Sequence, residues 1–456
     1  MKQGIDFGSE KIFRNILKTA FPMLVAQVLN LLYSIVDRIY IGRIPGEGTA
    51  ALAGIGLAFP LIIIITAFTN LYGSGGAPLF SMERGRENER KAAEILNTSY
   101  RLEVLTGVVL MIAGQIFARP LLVLFGADEP SLVYSIPYLR IYLLGTIFSM
   151  IATGMNPYVN AEGFPGFGMI SVVIGAVANI LLDPVFIFVF GMGVRGAALA
   201  TILSQFLSML FVLWFFRKKS VYPATLRPTK GEKYLPHAMN IISLGTASFI
   251  MQFTNSLVSI FCNNMLMKYG GALYVSVMTI ISSVRQILDT PVHAITEGTS
   301  PILSYNYGAK KNSNVRRAIF IMTAFCFAYT LIVWILILAS PESFVAIFGP
   351  DPSLQKDAAP ALHLYFAAFI FQTFQFSGQS VFKSLGKRNK AIFFSLFRKV
   401  VMVVPLTLLL PRLFGLGVNG VFLAEPISNL IGGLACYITM LLTILPELKQ
   451  MENERK

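Results

Sequence analysis

The chain has 456 residues, of which 55% are hydrophobic and 13% charged, with a mean hydropathy of +0.66. A soluble protein carries roughly 25% charged residues, so this composition excludes an ordinary soluble domain. The net charge of +14 invites a nucleic-acid reading, but the basic residues alternate by loop and form no basic domain, and no nucleic-acid partner is expected.

In chain order, apolar stretches run over 12–42, 50–80, 96–119, 133–156, 167–190, 195–216, 238–268, 271–302, 315–340, 357–382, 390–412 and 417–445. Each is long enough to cross a ~30 Å hydrocarbon core, which takes about 20 helical residues. We therefore expect an all-α integral membrane protein with twelve transmembrane helices. Of the 37 Lys and Arg, 25 fall at the termini and in alternate connections, and only Arg43, Arg119, Arg195, Lys268, Lys356 and Arg412 lie on the opposite side. The other six lie within spans, mostly toward their ends. By the positive-inside rule both termini are cytoplasmic. No cleavable signal peptide is expected, because the first span is too long and no small-residue cleavage site follows it.

The two halves repeat at an offset of 223 residues: Gly75, Pro78, Ser81 and Gly85 recur as Gly298, Pro301, Ser304 and Gly308. Phe125, Gly126 and Asp128 recur as Phe348, Gly349 and Asp351; Pro137, Tyr142 and Gly163 recur as Pro360, Tyr365 and Gly386. Matches that fall on backbone-setting residues indicate a duplicated fold: an N-terminal bundle of spans one to six (1–216), a basic cytoplasmic linker (217–236) and a C-terminal bundle of spans seven to twelve (237–456). Six spans per half keep the same orientation, so the pseudo-symmetry axis runs along the membrane normal. That is the build of a secondary transporter.

An ionisable residue inside a span is costly unless it faces protein or water, so each is a functional candidate. Asp183 in span five follows Asn179 by one turn and precedes Pro184, which cannot donate a backbone hydrogen bond. Asp37 in span one shares a face with Tyr33 and Asn30. Counting ~1.5 Å per residue from the outer ends of the spans, Asp183, Thr201 of span six and Asp37 fall at one level, with Tyr138 and Tyr142 of span four close to it. This set can form an oxygen-rich cage for a small cation such as Na+, or a proton-sharing pair. The competing readings are a helix-kink anchor for Asp183 and a surface ion pair with Arg38 for Asp37.

Other signals are weaker. Glu425, Asp289 and Glu297 are intramembrane acids, but Arg285 one turn before Asp289 points to a local pair. His293 reads more readily as a packing residue than as a proton relay. Cys262, Cys326 and Cys436 have neither metal nor disulfide spacing. Phe148, Met150, Met155 and Tyr158, on or beside span four, are the candidates for lining a drug cavity through aromatic and thioether contacts. No nucleotide-binding pattern or catalytic constellation occurs, so no enzymatic activity and no cofactor are expected, and the energy for transport must come from an ion gradient.

The stretches FPMLVAQVLNLLYSIVDRIYIGR, ALAGIGLAFP, GSGGAPLFSMERGR and NILLDPVFIFVFGMGVRGAALAT resemble the multidrug and toxic compound extrusion (MATE) family, in its bacterial MepA-like branch. The likeness runs from about residue 10 to 445. It implies a V-shaped carrier of two six-helix lobes in the bacterial inner membrane, working as a monomer and exporting organic cations and other drugs against H+ or Na+. By motif match, the family's cation or proton site falls on Asp37, Asn179, Asp183 and Thr201. Members with a second-lobe acid site carry it on spans seven and ten. Here those spans offer Gln252, Asn255, Asn263 and Asn264, and Gln372, Gln375 and Gln379, so coupling is expected in the first lobe alone. Competing readings are a lipid-linked saccharide flippase, which needs intramembrane bases that look scarce, a polytopic enzyme on lipid precursors, and a passive channel.

Overall fold

The computed structural model describes residues 4–227, 231, 234–346 and 352–454, so the repeat members Phe348, Gly349 and Asp351 lie outside the described residues. Among those described, all regular structure is helical. The first half holds α1 (Ile12–Gly42), α2 (Gly48–Gly56), α3 (Phe59–Gly85), α4 (Glu89–Leu124), α5 (Glu129–Leu144), α6 (Thr146–Gly154), α7 (Asn156–Ala161), α8 (Pro165–Pro184) and α9 (Gly193–Lys218). The second holds α10 (Tyr234–Gly308), α11 (Asn312–Ala339), α12 (Pro341–Ala346), α13 (Pro352–Tyr365), α14 (Gln372–Ser384), α15 (Arg388–Leu396), α16 (Val404–Leu409) and α17 (Gly417–Asn453). Gly271, at φ 72° and ψ −169°, breaks α10 into spans seven and eight. Only glycine adopts that backbone without strain.

Among the described residues nine helices are long and apolar enough to cross a membrane, and ten if the pair bent by 56° at Gly145 counts as one span. The two expected spans that do not stand out are the eighth and tenth. Their composition explains it: span eight carries Arg285, Asp289, His293 and Glu297, and span ten carries Gln372, Gln375 and Gln379 and is interrupted by a short 3₁₀ turn at Phe369–Phe371.

The chain separates into two compact units, one built on Pro22–Phe249 and the other on Phe7–Phe21 with the chain from Ile250 onward. The unit boundary therefore falls past the 217–236 linker, and each unit takes up the opening turns of the other half's first helix. The repeated glycines show how. In the first unit a Cβ on Gly75 would lie 2.7 and 2.8 Å from the backbone of Gly245 on α10; in the second, a Cβ on Gly298 would lie 2.8 Å from Cα of Ala20 on α1. Both glycines let a helix backbone seat directly upon them. The linker is fastened to the first unit: Val221 N–H donates to Glu162 (2.8 Å), Thr225 N–H to Asn97 (2.8 Å), and the Tyr222 hydroxyl to Glu89. His237 then meets Glu94 at 2.9 Å.

Other repeated residues also have a structural reason. Gly126 has φ 95°, and Asp128 caps α5 by accepting from Ser131 N–H at 3.1 Å. The Ser131 hydroxyl donates to the same oxygen, and the two hydrogen bonds, the hydroxyl's first, stabilise the ionised form and hold the Asp128 carboxyl below its usual range.

Candidate functional site

The inner face of α8 carries Asn179 and Asp183 one turn apart, 1% and 0% exposed. Asn179 Nδ2 lies 3.4 Å from Asp183 Oδ1 and 3.5 Å from Thr201 Oγ1 on α9, whose hydroxyl donates to the Ala197 carbonyl at 2.9 Å. Pro184 has no N–H to offer one turn back, and the helix relaxes into a π-helical turn at Val185–Val189, closed by Phe190 N–H to Val185 O at 2.9 Å.

From α1, the half-buried Asp37 brings its carboxyl against that of Asp183. Tyr33 and Tyr138 face both acids, and Tyr142, which stacks on Tyr138 with centroids 6.1 Å apart, faces Asp37. Arg38 is exposed with its guanidinium over the Phe59 ring at 4.9 Å, so the neighbouring base is directed to an aromatic face. Asn30 is exposed, and its backbone carbonyl accepts from Ser34 Oγ at 2.9 Å.

One member was missed in the sequence. Gln205, one turn after Thr201 on α9, engages the Tyr142 hydroxyl, and the same i+4 spacing that linked Asn179 to Asp183 would have found it. Asp37 Oδ1, Asn179 Oδ1, Asp183 Oδ2 and Gln205 Oε1 are buried with no hydrogen-bond partner among the described residues. Buried acceptors rarely stay unpaired. Four surplus oxygens, two of them on touching carboxyls, match what a proton or an oxygen-liganded cation such as Na+ requires.

The four aromatic and thioether positions are placed differently. Met150, Met155 and Tyr158 are each 0% exposed in the core of the first unit, where the Tyr158 hydroxyl bonds Ser99; in this conformation they pack and do not line an open cavity. Phe148 packs edge-on to Phe206 at 5.0 Å. Sequence alone cannot separate a core methionine from a cavity methionine. His293 is a packing residue against Phe376, at 4.6 Å, and the three cysteines are free and buried.

In the second unit Asp289 of span eight and Glu425 of span twelve are paired. Glu425 Oε1 receives Arg285 Nη1 at 2.6 Å, Arg398 Nη1 at 2.9 Å and Lys399 Nζ at 3.4 Å; Asp289 receives Arg285 Nε at 3.2 Å and Gln372 Nε2 at 2.7 Å. The bases that looked scarce inside the spans are gathered here.

A duplicated helical membrane protein with an acid-centred oxygen cluster in one unit has the makings of an ion-coupled carrier. The MatE family model matches residues 22–185 and 247–409, and the chain belongs to that family. It is 24% identical over 413 residues to the multidrug export protein MepA of Staphylococcus haemolyticus, covering 90% of this chain and 89% of the relative. MepA of Staphylococcus aureus strain MRSA252 is 23% identical over 437 residues, 95% of each chain. An outward-facing multidrug resistance MATE transporter superposes with a TM-score of 0.91 at 23% identity over 99% of this chain and all of the other. A MATE structure in a bent conformation gives 0.89 at 23% identity over 96% and 98%.

Proposed function

We propose that this chain exports organic cations and other drugs by alternating access, driven by H+ or Na+ entering at the Asp37–Asp183 cluster of the first unit. The observation that carries the reading is the convergence of α1, α8 and α9 on two touching carboxyls and four unpartnered oxygens. Two carboxylates held together in a poorly solvated site repel, which favours a hydrated arrangement able to attract a cationic drug. Neutralisation by an entering proton or Na+ lets α1 and α8 draw together through Asp37 and Asp183, which disfavours retention of the drug. An ion drives the cycle only by binding the two states with different affinity. The chain works in the bacterial inner membrane with both termini cytoplasmic, as a monomer without catalytic activity or a cofactor.

Proteoliposomes under a separately imposed pH or Na+ gradient, with ethidium movement followed, test the reading and name the ion. Asp183→Asn and Asp37→Asn are each expected to abolish gradient-driven export in a protein that still folds. Wild-type rates in both variants would remove the site assignment.

A further inference from the structure

The ion cluster of the second unit has three bases, Arg285, Arg398 and Lys399, against two acids, Asp289 and Glu425. Their side chains are largely withdrawn from solvent: 15%, 7% and 9% exposed for the bases, and 15% and 5% for the acids. The guanidinium of Arg285 is well partnered, adding Tyr365 Oη at 2.5 Å and Gln372 Oε1 at 3.2 Å to its two carboxylates; Arg398 adds Asn429 Oδ1 at 2.5 Å. Lys399 is not. Its ammonium has three protons to donate, and among the described residues it makes a 3.4 Å approach to a carboxylate oxygen already taken by two guanidiniums. It stands on the π-helical turn Phe397–Val403, a departure from α-helix that is common at functional sites.

The cluster also borders a polar face of α10. On the second part of α10, Thr279, Ser283, Gln286, Thr290, His293 and Glu297 recur every three or four residues, and each is exposed or half-buried. Thr279, Ser283 and Thr290 donate to carbonyls of their own helix, whereas the amide of Gln286 and the carboxyl of Glu297 belong against water or protein. Arg285 and Asp289 are its immediate neighbours.

We propose that Lys399, with Arg398 and Arg285, forms an anion subsite in the second unit that takes the carboxylate of an amphiphilic substrate. The inference rests on the export reading and specifies how this unit contributes to it: Lys399 selects for substrates that bear a carboxylate, while simple cations bind without it. A carboxylate supplies the acceptor that Lys399 lacks. No covalent step is involved.

The test uses full-length purified protein in detergent and two rhodamines followed by fluorescence anisotropy: rhodamine 110, with a free carboxylate, and rhodamine 123, its methyl ester. Lys399→Met leaves two guanidiniums facing two carboxylates, so the cluster stays paired and the fold is retained; Lys399→Arg keeps the charge. Lys399→Met is expected to raise the Kd of rhodamine 110 at least tenfold and that of rhodamine 123 less than twofold, with Lys399→Arg restoring most of the loss. Equal loss for both dyes, or loss for neither, overturns the proposal and leaves a purely structural ion cluster. Wild-type protein that binds rhodamine 123 and rejects rhodamine 110 overturns the subsite alone, whereas binding of neither dye counts against both the subsite and the export reading.

Discussion

Glu103, midway along α4, ends in a carboxyl whose two oxygens are buried without a hydrogen-bond partner among the described residues. The phenols facing it are committed elsewhere: Tyr72 Oη pairs with Thr106 at 2.8 Å, and the Tyr158 hydroxyl bonds Ser99. Gly154 makes room for it, since a Cβ there would sit 1.9 Å from Oε1. An unsatisfied buried polar group costs about 1–3 kcal/mol, and an apolar side chain of similar shape removes that cost. Glu103→Met is therefore expected to raise the thermal unfolding temperature of the purified protein. A lower temperature would mean that the carboxyl has a partner, water included, worth more than its burial costs. The same contrast explains what sequence revealed at this scale. Asp37 and Asp183 stood out because acids inside spans are rare; Glu103 of span three meets the same criterion and was missed, because no second acid and no family motif accompanies it.

At the scale of elements, α1 and α10 each belong to two units, and the glycines beneath their opening turns fix the seating. Backbone lies within 3.0 Å of the Cβ position at Gly75 and at Gly298, too close for any side chain. Gly298→Val should cost about 1–3 kcal/mol or more through overpacking, read as a lower unfolding temperature and a lower yield of folded protein. Gly56→Ala is the control: it ends α2 with nothing within 4 Å of its Cβ position, so no clash arises and the unfolding temperature should change little. A tolerated valine at 298 would show that α1 is seated elsewhere. The repeat made these glycines visible, but not their task. Identity at a fixed offset reports that geometry is shared, whereas the exchanged helix starts arise from contacts hundreds of residues apart. Arg398 and Lys399 were obscured for a related reason: eight and nine residues past the start of span eleven they have no acid at helical spacing, and only packing gives them Glu425 at 2.9 and 3.4 Å.

For the whole molecule, the number of spans decides on which side of the membrane the chain ends. Apolarity alone yields nine helices among the described residues, an odd number that places the termini on opposite sides; counting the bent pair makes ten, and the two polar spans make twelve. The helices that apolarity misses are those whose polar groups bond within the second unit, as Arg285 of span eight does with Glu425 and as Gln372 of span ten does with Asp289. A polar helix is stable in a membrane when its partners are protein groups, so hydropathy undercounts where an ion cluster is built. The basic loops agree with twelve, since 25 of 37 Lys and Arg then fall on one side. A fluorescent protein that matures only in the cytoplasm, fused after Lys456, should therefore fluoresce, while alkaline phosphatase, active only outside, should be active when inserted after Gly191, between α8 and α9. A dark C-terminal fusion in correctly inserted protein would mean an odd number of crossings and would move the basic loops of one half to the outer face.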